Sequence, residues 1–374
     1  MKVINFFYAL VVFIITSCGQ GVDEIAFPQV KLNSQSSGKL SDFFQRVELV
    51  ELVSKDSGIW IGNIDLYKVT ENHIYLLDES QGKKIMKFNH QGDFIAEVIS
   101  VGESPLGFNI PSIFSIDESL NEMLVYDGTM LKLLTYDLNF RLIKSEKLPN
   151  YYSNISHLRN GDGYLYFSDD YKEVSNDYIL AYKKSKGVFE PILYTKYPMI
   201  PYSSISYLYN DQSGFYHVPF EDKIFRYNAD SSRFDPLFQL ILNSEKIPSD
   251  LLEGLDILAL QSFLLDSEMS FASFSGSEYG GNYFLFYYRD LENYNFARIS
   301  KNDFDDNISI SWKGLFDNAD VPVPFASSAG MYYSIGYLSE SDYKTVSTTT
   351  GILDGNIEFK DFEDKLFLFK FYLK

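Results

Sequence analysis

The sequence predicts an all-β chain folded as a six-bladed β-propeller with four-stranded antiparallel blades, and three observations carry that expectation. First, the stretch 72–98 holds three short apolar runs, Ile74 to Leu77, Ile85 to Phe88 and Phe94 to Val98. Asp78 with a Ser, Gln, Gly turn closes the first run and Asn89 to Gly92 close the second, which is the form of a three-strand meander. Second, the stretch recurs: Phe88, Tyr136, Tyr182 and Tyr227 hold the same place in four successive units and stand 48, 46 and 45 positions apart. Third, the chain has 32 Phe and 29 Tyr, and aromatic and β-branched residues dominate the apolar runs, a composition that suits pleated surfaces. A meander this short cannot bury its own apolar faces. A strand-only repeat of about 40 to 50 residues falls in the range of propeller blades, whose closure into a ring protects the strand edges.

Each unit needs an innermost strand ahead of its landmark run, and residues 64–69, 113–116, 155–158, 205–208 and 271–274 fill those places. The fifth landmark, Phe296, comes 69 positions after Tyr227. The excess coincides with residues 244–268, where Leu251, Leu252, Leu255, Leu258 and Leu265 recur at helix-like separations behind Pro248 and Ser249. A short helical insertion near 250–265, between blades four and five, follows. Residues 283–288, 295–300 and 308–312 make the fifth meander, and 331–338 with the C-terminal run make most of a sixth. That blade is one strand short. The apolar stretch Phe43 to Leu52 supplies the missing outer strand and latches the ring with both ends of the chain.

Ahead of the ring, residues 1–17 carry one Lys, an apolar run from Val3 to Ile15 and then small polar residues. The run is short for a membrane span and has the form of a secretory signal. Cys18, the single cysteine, follows directly. Ile15, Ser17, Cys18 and Gly19 resemble a bacterial lipobox, with Cys18 as the lipidated mature N-terminus. Residues 18–42, rich in Gly, Ser, Gln and Asn, read as a polar tether, and 43–374 as one propeller domain. With one Cys there is no disulfide framework and no CxxC pair. The formal net charge of −19 argues against nucleic acid and against electrostatic adhesion to anionic lipid, so attachment to a membrane rests on acyl chains. Gly19 in place of Asp points to the outer membrane and leaves the leaflet open.

The run LLDESQGKKIMKFNHQGDFIAEV, Leu76 to Val98, behind a lipobox and a polar tether, resembles the six-bladed β-propeller lipoproteins of Bacteroidetes, whose blades are related to NHL repeats. The following loop keeps Gly102, Pro105 and Gly107 but lacks the Gly-Glu order that ends the family's loop, so no role is carried over to it. The C-terminal KLFLFKFYLK resembles the family's closing strand. The resemblance implies the fold of residues 43–374 and no particular activity.

Chemistry has to come from the residues themselves. His157 and His217 are placed by the repeat in or beside innermost strands, where they would begin a metal or acid–base centre, but no HxH or HxxxH pair accompanies them or His73 and His90. No GxSxG elbow is present, and the Gly-Ser run at 274–281 reads as a blade-five hairpin. Asn302 to Asn307 lacks the oxygen order, central Gly and final Glu of an EF-hand and reads as a solvated turn. No cofactor or metal is expected. Most aromatics sit inside strands and read as packing between blades; Tyr151, Tyr152, Tyr197, Tyr202 and Phe325 fall between blades and form the candidate binding surface. The expectation is therefore a non-catalytic binding or assembly module of the envelope, with a protein, peptide or glycan partner. The alternative is a propeller-type lyase or hydrolase acting on glycans or lactones at a central cavity.

Overall fold

The structure is a computed structural model that describes residues 27–32, 34–35, 39–52, 60–100, 102, 107–158, 163–168, 177–194, 215–218, 223–228, 230–231, 233–241, 273–288, 294–324, 326–328, 330–350, 353–354 and 365–374. The first described strands are β1 (Gln29–Lys31), β2 (Ser34–Gln35) and, after a single 3-10 turn at Leu40–Asp42, β3 (Phe44–Leu52). Blade one is β4 (Leu66–Val69), β5 (His73–Asp78), β6 (Lys84–Asn89) and β7 (Phe94–Ile99). Blade two is β8 (Ile113–Asp117), β9 (Glu122–Asp127), β10 (Lys132–Asp137) and β11 (Leu142–Lys147), and blade three is β12 (Tyr152–His157), β13 (Gly163–Ser168), β14 (Asp177–Lys183) and β15 (Val188–Tyr194). Blade four shows β16 (Phe215–Val218), β17 (Lys223–Asn228) and β18 (Arg233–Ile241). Blade five is β19 (Ser273–Tyr279), β20 (Asn282–Tyr288), β21 (Tyr294–Ser300) and β22 (Asn307–Ser311), followed by the one-turn helix α1 (Trp312–Leu315). Blade six contains β23 (Ala326–Ser328), β24 (Met331–Tyr337), helix α2 (Glu340–Thr350), β25 (Leu353–Asp354) and β26 (Leu366–Leu373).

The six sheets are the six blades of the expected propeller. Neighbours within blades one, two, three and five are antiparallel and sequential, so each blade is a meander. Two rims follow from this alternation. The turns joining first to second and third to fourth strands form one, here the hairpin rim; the second-to-third turns and the passages between blades form the other, the connector rim. Both α1 and α2 interrupt the chain on the connector rim, while the expected helix at 250–265 and the strand at 205–208 lie outside the described residues.

Ring closure is as the sequence predicts. β3 lies antiparallel against β26, with Leu52 opposite Leu366 and Val47 opposite Phe371. The fit is aromatic: Phe44 stacks on Phe296 of blade five at 5.2 Å and tilts against Phe371 at 5.4 Å. Trp312 then wedges between Phe286 at 4.9 Å and Phe371 at 5.3 Å, with its indole N–H donating to the Val321 carbonyl at 2.9 Å. These aromatics are inter-blade packing, and burying one such ring removes on the order of 150–250 Å² from water.

The tether expectation is revised from Phe27 onward. β1 pairs in parallel with β18 of blade four, and β2 pairs in parallel with β22 of blade five. Val30, Leu32 and Leu40 are buried, Phe27 packs edge-on to Phe225 at 5.2 Å, and Asn307 donates to the Lys31 carbonyl at 3.1 Å. The polar composition of 18–42 concealed short strands whose alternate apolar side chains face the ring. The N-terminal segment is thus a strap across the outer edges of blades four, five and six.

On the hairpin rim, cations join neighbouring blades. Lys370 of β26 donates to the His90 carbonyl of blade one at 2.9 Å and to Glu48 at 3.0 Å. One blade on, Lys87 of β6 donates to the Leu138 carbonyl at 3.0 Å. Glu118 of blade two accepts from Thr70 at 2.6 Å and Asn72 at 2.9 Å, both of blade one, and Arg226 of blade four pairs with Glu278 of blade five, which also pairs with Lys301.

Candidate functional site

On the connector rim, blades one and two are organised by two fully buried carboxylates, Asp78 and Asp127, each the last residue of a second strand. Asp127 Oδ1 accepts from the Thr129 and Met130 N–H groups at 3.0 and 3.1 Å and from the Thr129 hydroxyl at 2.6 Å. Its Oδ2 accepts from the N–H groups of Asn109 at 2.6 Å and Ile110 at 3.1 Å, in the passage entering the blade. Asp78 repeats the device with the Gln81, Gly82 and Gly62 N–H groups at 3.1, 2.7 and 2.8 Å. Turn and passage are thereby fixed to each other by charge-assisted bonds, stronger than neutral ones.

Aromatic side chains stand on this rigid rim. Trp60, 58% exposed, lies in the passage from β3 to β4. A Cβ on Gly62 would sit 2.6 Å from the Trp60 ring and 2.6 Å from Gln81 Cβ, so only glycine admits that close approach. Tyr151, 51% exposed, lies between β11 and β12; its ring is edge-on to Tyr126 at 6.1 Å and 3.0 Å from where a Gly128 Cβ would project. Tyr337, 54% exposed, ends the second strand of blade six. Three exposed aromatics therefore stand on the connector rim of consecutive blades: Tyr337 at the end of the second strand of blade six, Trp60 in the passage entering blade one, beside Gln81 of its second-to-third turn, and Tyr151 in the passage leaving blade two, beside Gly128 of its second-to-third turn.

The sequence-predicted surface is only partly this one. Tyr151 belongs to it, but Tyr152 is 1% exposed and starts β12, where strand alternation turns it inward from its neighbour; its N–H donates to the Tyr126 hydroxyl at 3.2 Å. Burial pushes the Tyr126 phenol up to about 12. Tyr197, Tyr202, Phe325 and Cys18 lie outside the described residues. Trp60 and Tyr337 were not singled out from sequence. The available signal for Trp60 was an aromatic in the Gly-bracketed run SGIWIGN, outside the strand period.

Polar groups border Trp60. Asn63 donates to Asp65 at 2.7 Å and to the Ser80 hydroxyl at 3.2 Å, while Asp65 accepts from the Glu79 N–H at 2.7 Å. Burial, together with Asp65 and Asp127, holds the Glu79 carboxyl above its ordinary range against the opposing Ser112 hydrogen bond.

His157 is on the other rim, buried at the seam of blades two and three. The Ser115 hydroxyl accepts the His157 backbone N–H at 3.3 Å and lies 3.0 Å from Nδ1. Nε2 has no hydrogen-bond partner; Glu122 Oε2 is 3.7 Å away, an electrostatic contact beyond hydrogen-bond reach. Lys184 stands 3.3 Å from the same oxygen and 4.7 Å over the Tyr164 ring. His157 and then Lys184 hold the Glu122 carboxyl below its ordinary range against the effect of burial. Serine, histidine and carboxylate stand in the order that hydrolases use, but Ser115 is buried and its hydroxyl is engaged by the backbone. His217 lies in β16; His73 and His90 contact Glu118 at 3.3 Å and the Thr70 carbonyl at 3.1 Å. Among the described residues, no three His, Cys, Asp or Glu side chains converge to hold a metal ion.

Known structures share the fold. A Bacteroides fragilis NCTC 9343 protein matches with a TM-score of 0.70 at 18% identity, covering 93% of this chain and 100% of its own. A member of the duf4221 family from Bacteroides vulgatus ATCC 8482 matches with a TM-score of 0.50 at 12% identity, covering 88% and 97% respectively. A streptogramin B lyase matches more distantly, at 13% identity and a TM-score of 0.41, covering 79% and 82%. Likeness at these identities concerns the propeller alone. No curated protein matches the chain. A family model described as Domain of unknown function (DUF4934) matches residues 24–350, a span that takes in the strap, blades one to five and the part of blade six that precedes β25, and the chain belongs to that family.

Proposed function

We propose that the protein is an envelope lipoprotein, anchored through Cys18 to the outer membrane, that acts by binding through its connector rim. The observation that carries this reading is the placement of Trp60, Tyr151 and Tyr337, each more than half exposed, on one rim of consecutive blades. An exposed aromatic on a frame already fixed by Asp78 and Asp127 has little conformational freedom left to lose, and such anchors contribute disproportionately to binding. The test is binding of the purified protein to solubilised envelope material, compared with the triple variant Trp60→Ala, Tyr151→Ala, Tyr337→Ala after its melting curve is shown to match. Loss of binding supports the rim; retention rejects it. Lipid-probe labelling of the wild type but not of Cys18→Ala checks the anchor.

A second reading, a lyase or hydrolase acting on glycans or lactones, is favoured by the meeting of His157 with Glu122 and Ser115. Turnover of an envelope glycan that is abolished by Glu122→Gln and by His157→Ala would establish it.

A further inference from the structure

We infer that the connector rim takes a linear neutral polysaccharide, laid across blades six, one and two with one sugar ring against each of Tyr337, Trp60 and Tyr151. This deepens the binding proposed above and rests on it. A pyranose has an apolar C–H face and an edge of hydroxyls. It is matched by a flat, half-exposed aromatic ring with neutral donors and acceptors at its border, not by the desolvated apolar pocket that holds a protein anchor residue. Trp60 is such a ring. It lies across Gly62 beside Gln81, with Asn63 and Ser80 next along the turn. Tyr151 repeats the arrangement over Gly128, with the Ser112 hydroxyl 3.5 Å from the same projected Cβ. The three aromatics reach the rim from different positions of the repeat but on consecutive blades, Tyr337 from a strand end and Trp60 and Tyr151 from passages, so an extended chain is the ligand shape that can meet all three. Charge selects within that class: Asp65 and Glu79 border the arc and the whole chain carries −19, which disfavours uronic-acid or sulfated chains.

The chain has two tryptophans, and Trp312 is 2% exposed, so quenching by aqueous iodide reads Trp60. The full-length protein is mixed with solubilised envelope material that is untreated, oxidised with periodate to open vicinal-diol sugars, or digested with protease. The expected result is that untreated and protease-digested material shield Trp60 from iodide and periodate-oxidised material does not. Tyr151→Ala, which leaves the fluorophore in place, is expected to weaken the shielding by about tenfold in midpoint concentration, as for loss of one interface anchor. Shielding that survives periodate and is lost to protease overturns the polysaccharide while leaving the rim as the binding surface. Shielding displaced by heparin more effectively than by dextran overturns the neutral assignment. No shielding by any preparation overturns both the polysaccharide and the rim.

Discussion

The two rims of this ring are built from the same repeat and have opposite character. On the hairpin rim, Lys370, Lys87 and Arg226 reach from one blade to the next, and carboxylates such as Glu118 and Glu278 receive partners from neighbouring blades. On the connector rim the carboxylates turn inward: Asp78 and Asp127 spend their lone pairs on backbone N–H groups, and aromatic side chains face water. One rim joins blades together and the other holds its own loops still. The difference shows how a propeller separates the work of cohesion from the presentation of a surface.

Replacing Asp127 tests the connector rim most severely. Asp127→Ala removes the shared acceptor of four part-buried N–H groups and the Thr129 hydroxyl, and hydrogen bonds to charged groups are worth about 1.5–3 kcal/mol each, so a total loss of about 3 kcal/mol or more is expected in urea denaturation. A loss within 0.5 kcal/mol, on the order of an ordinary surface substitution, would break the claim that this carboxylate holds the rim. On the other rim, Lys370→Met removes donors to Glu48 and the His90 carbonyl; hydrogen bonds to charged groups are worth about 1.5–3 kcal/mol, and a decrease of that order should appear in the same measurement.

The rims also titrate with opposite signs. Glu122 is held below its ordinary range by His157 and Lys184; Glu48, which burial pushes up, is held low by Tyr372, Lys370 and Arg46 together. Each contributes stability that is present above the unfolded carboxylate pKa and disappears as pH falls through the folded one. Glu79 is shifted the other way, so its contribution is present below the unfolded value and is lost as pH rises through the folded one. At pH 7, Glu79→Gln should therefore raise the melting temperature and Glu122→Gln should lower it, with both differences shrinking in acid. Shifts of the same sign would remove the contrast. The smallest effect expected is that of Trp60→Ala on stability, within about 0.5 kcal/mol, because the ring is exposed; a larger loss would mean that Trp60 supports the rim instead of serving it.

Much of the ring was legible because its signals are periodic. Phe88, Tyr136 and Tyr227 mark the end of the third strand in their blades, and Asp78 and Asp127, visible as residues closing apolar runs, are the rim's buried acceptors. The strap was missed because β1 and β2 are only three and two residues long, too short for a period to declare itself; the buried alternate residues Val30 and Leu32 were the trace it left. Tyr152 was misplaced by a single position of strand phase. Trp60 and Tyr337 escaped because surface exposure depends on which turn a side chain meets, and Gly62 beside Gln81 becomes informative only once the passage into blade one is folded against its turn. His157 was singled out, but its partners Ser115 and Glu122 come from the adjacent blade and carry no local mark.

Closure through β3 has a consequence for how the protein is made. Tyr372 meets Glu48 across 324 positions of chain, and contacts of such separation form late and slowly. Phe44 must wait for Phe371 of β26, against which it packs, to be synthesised. A chain cut short anywhere before β26 leaves β3 without its antiparallel partner, so the ring carries its own check that synthesis has passed that strand.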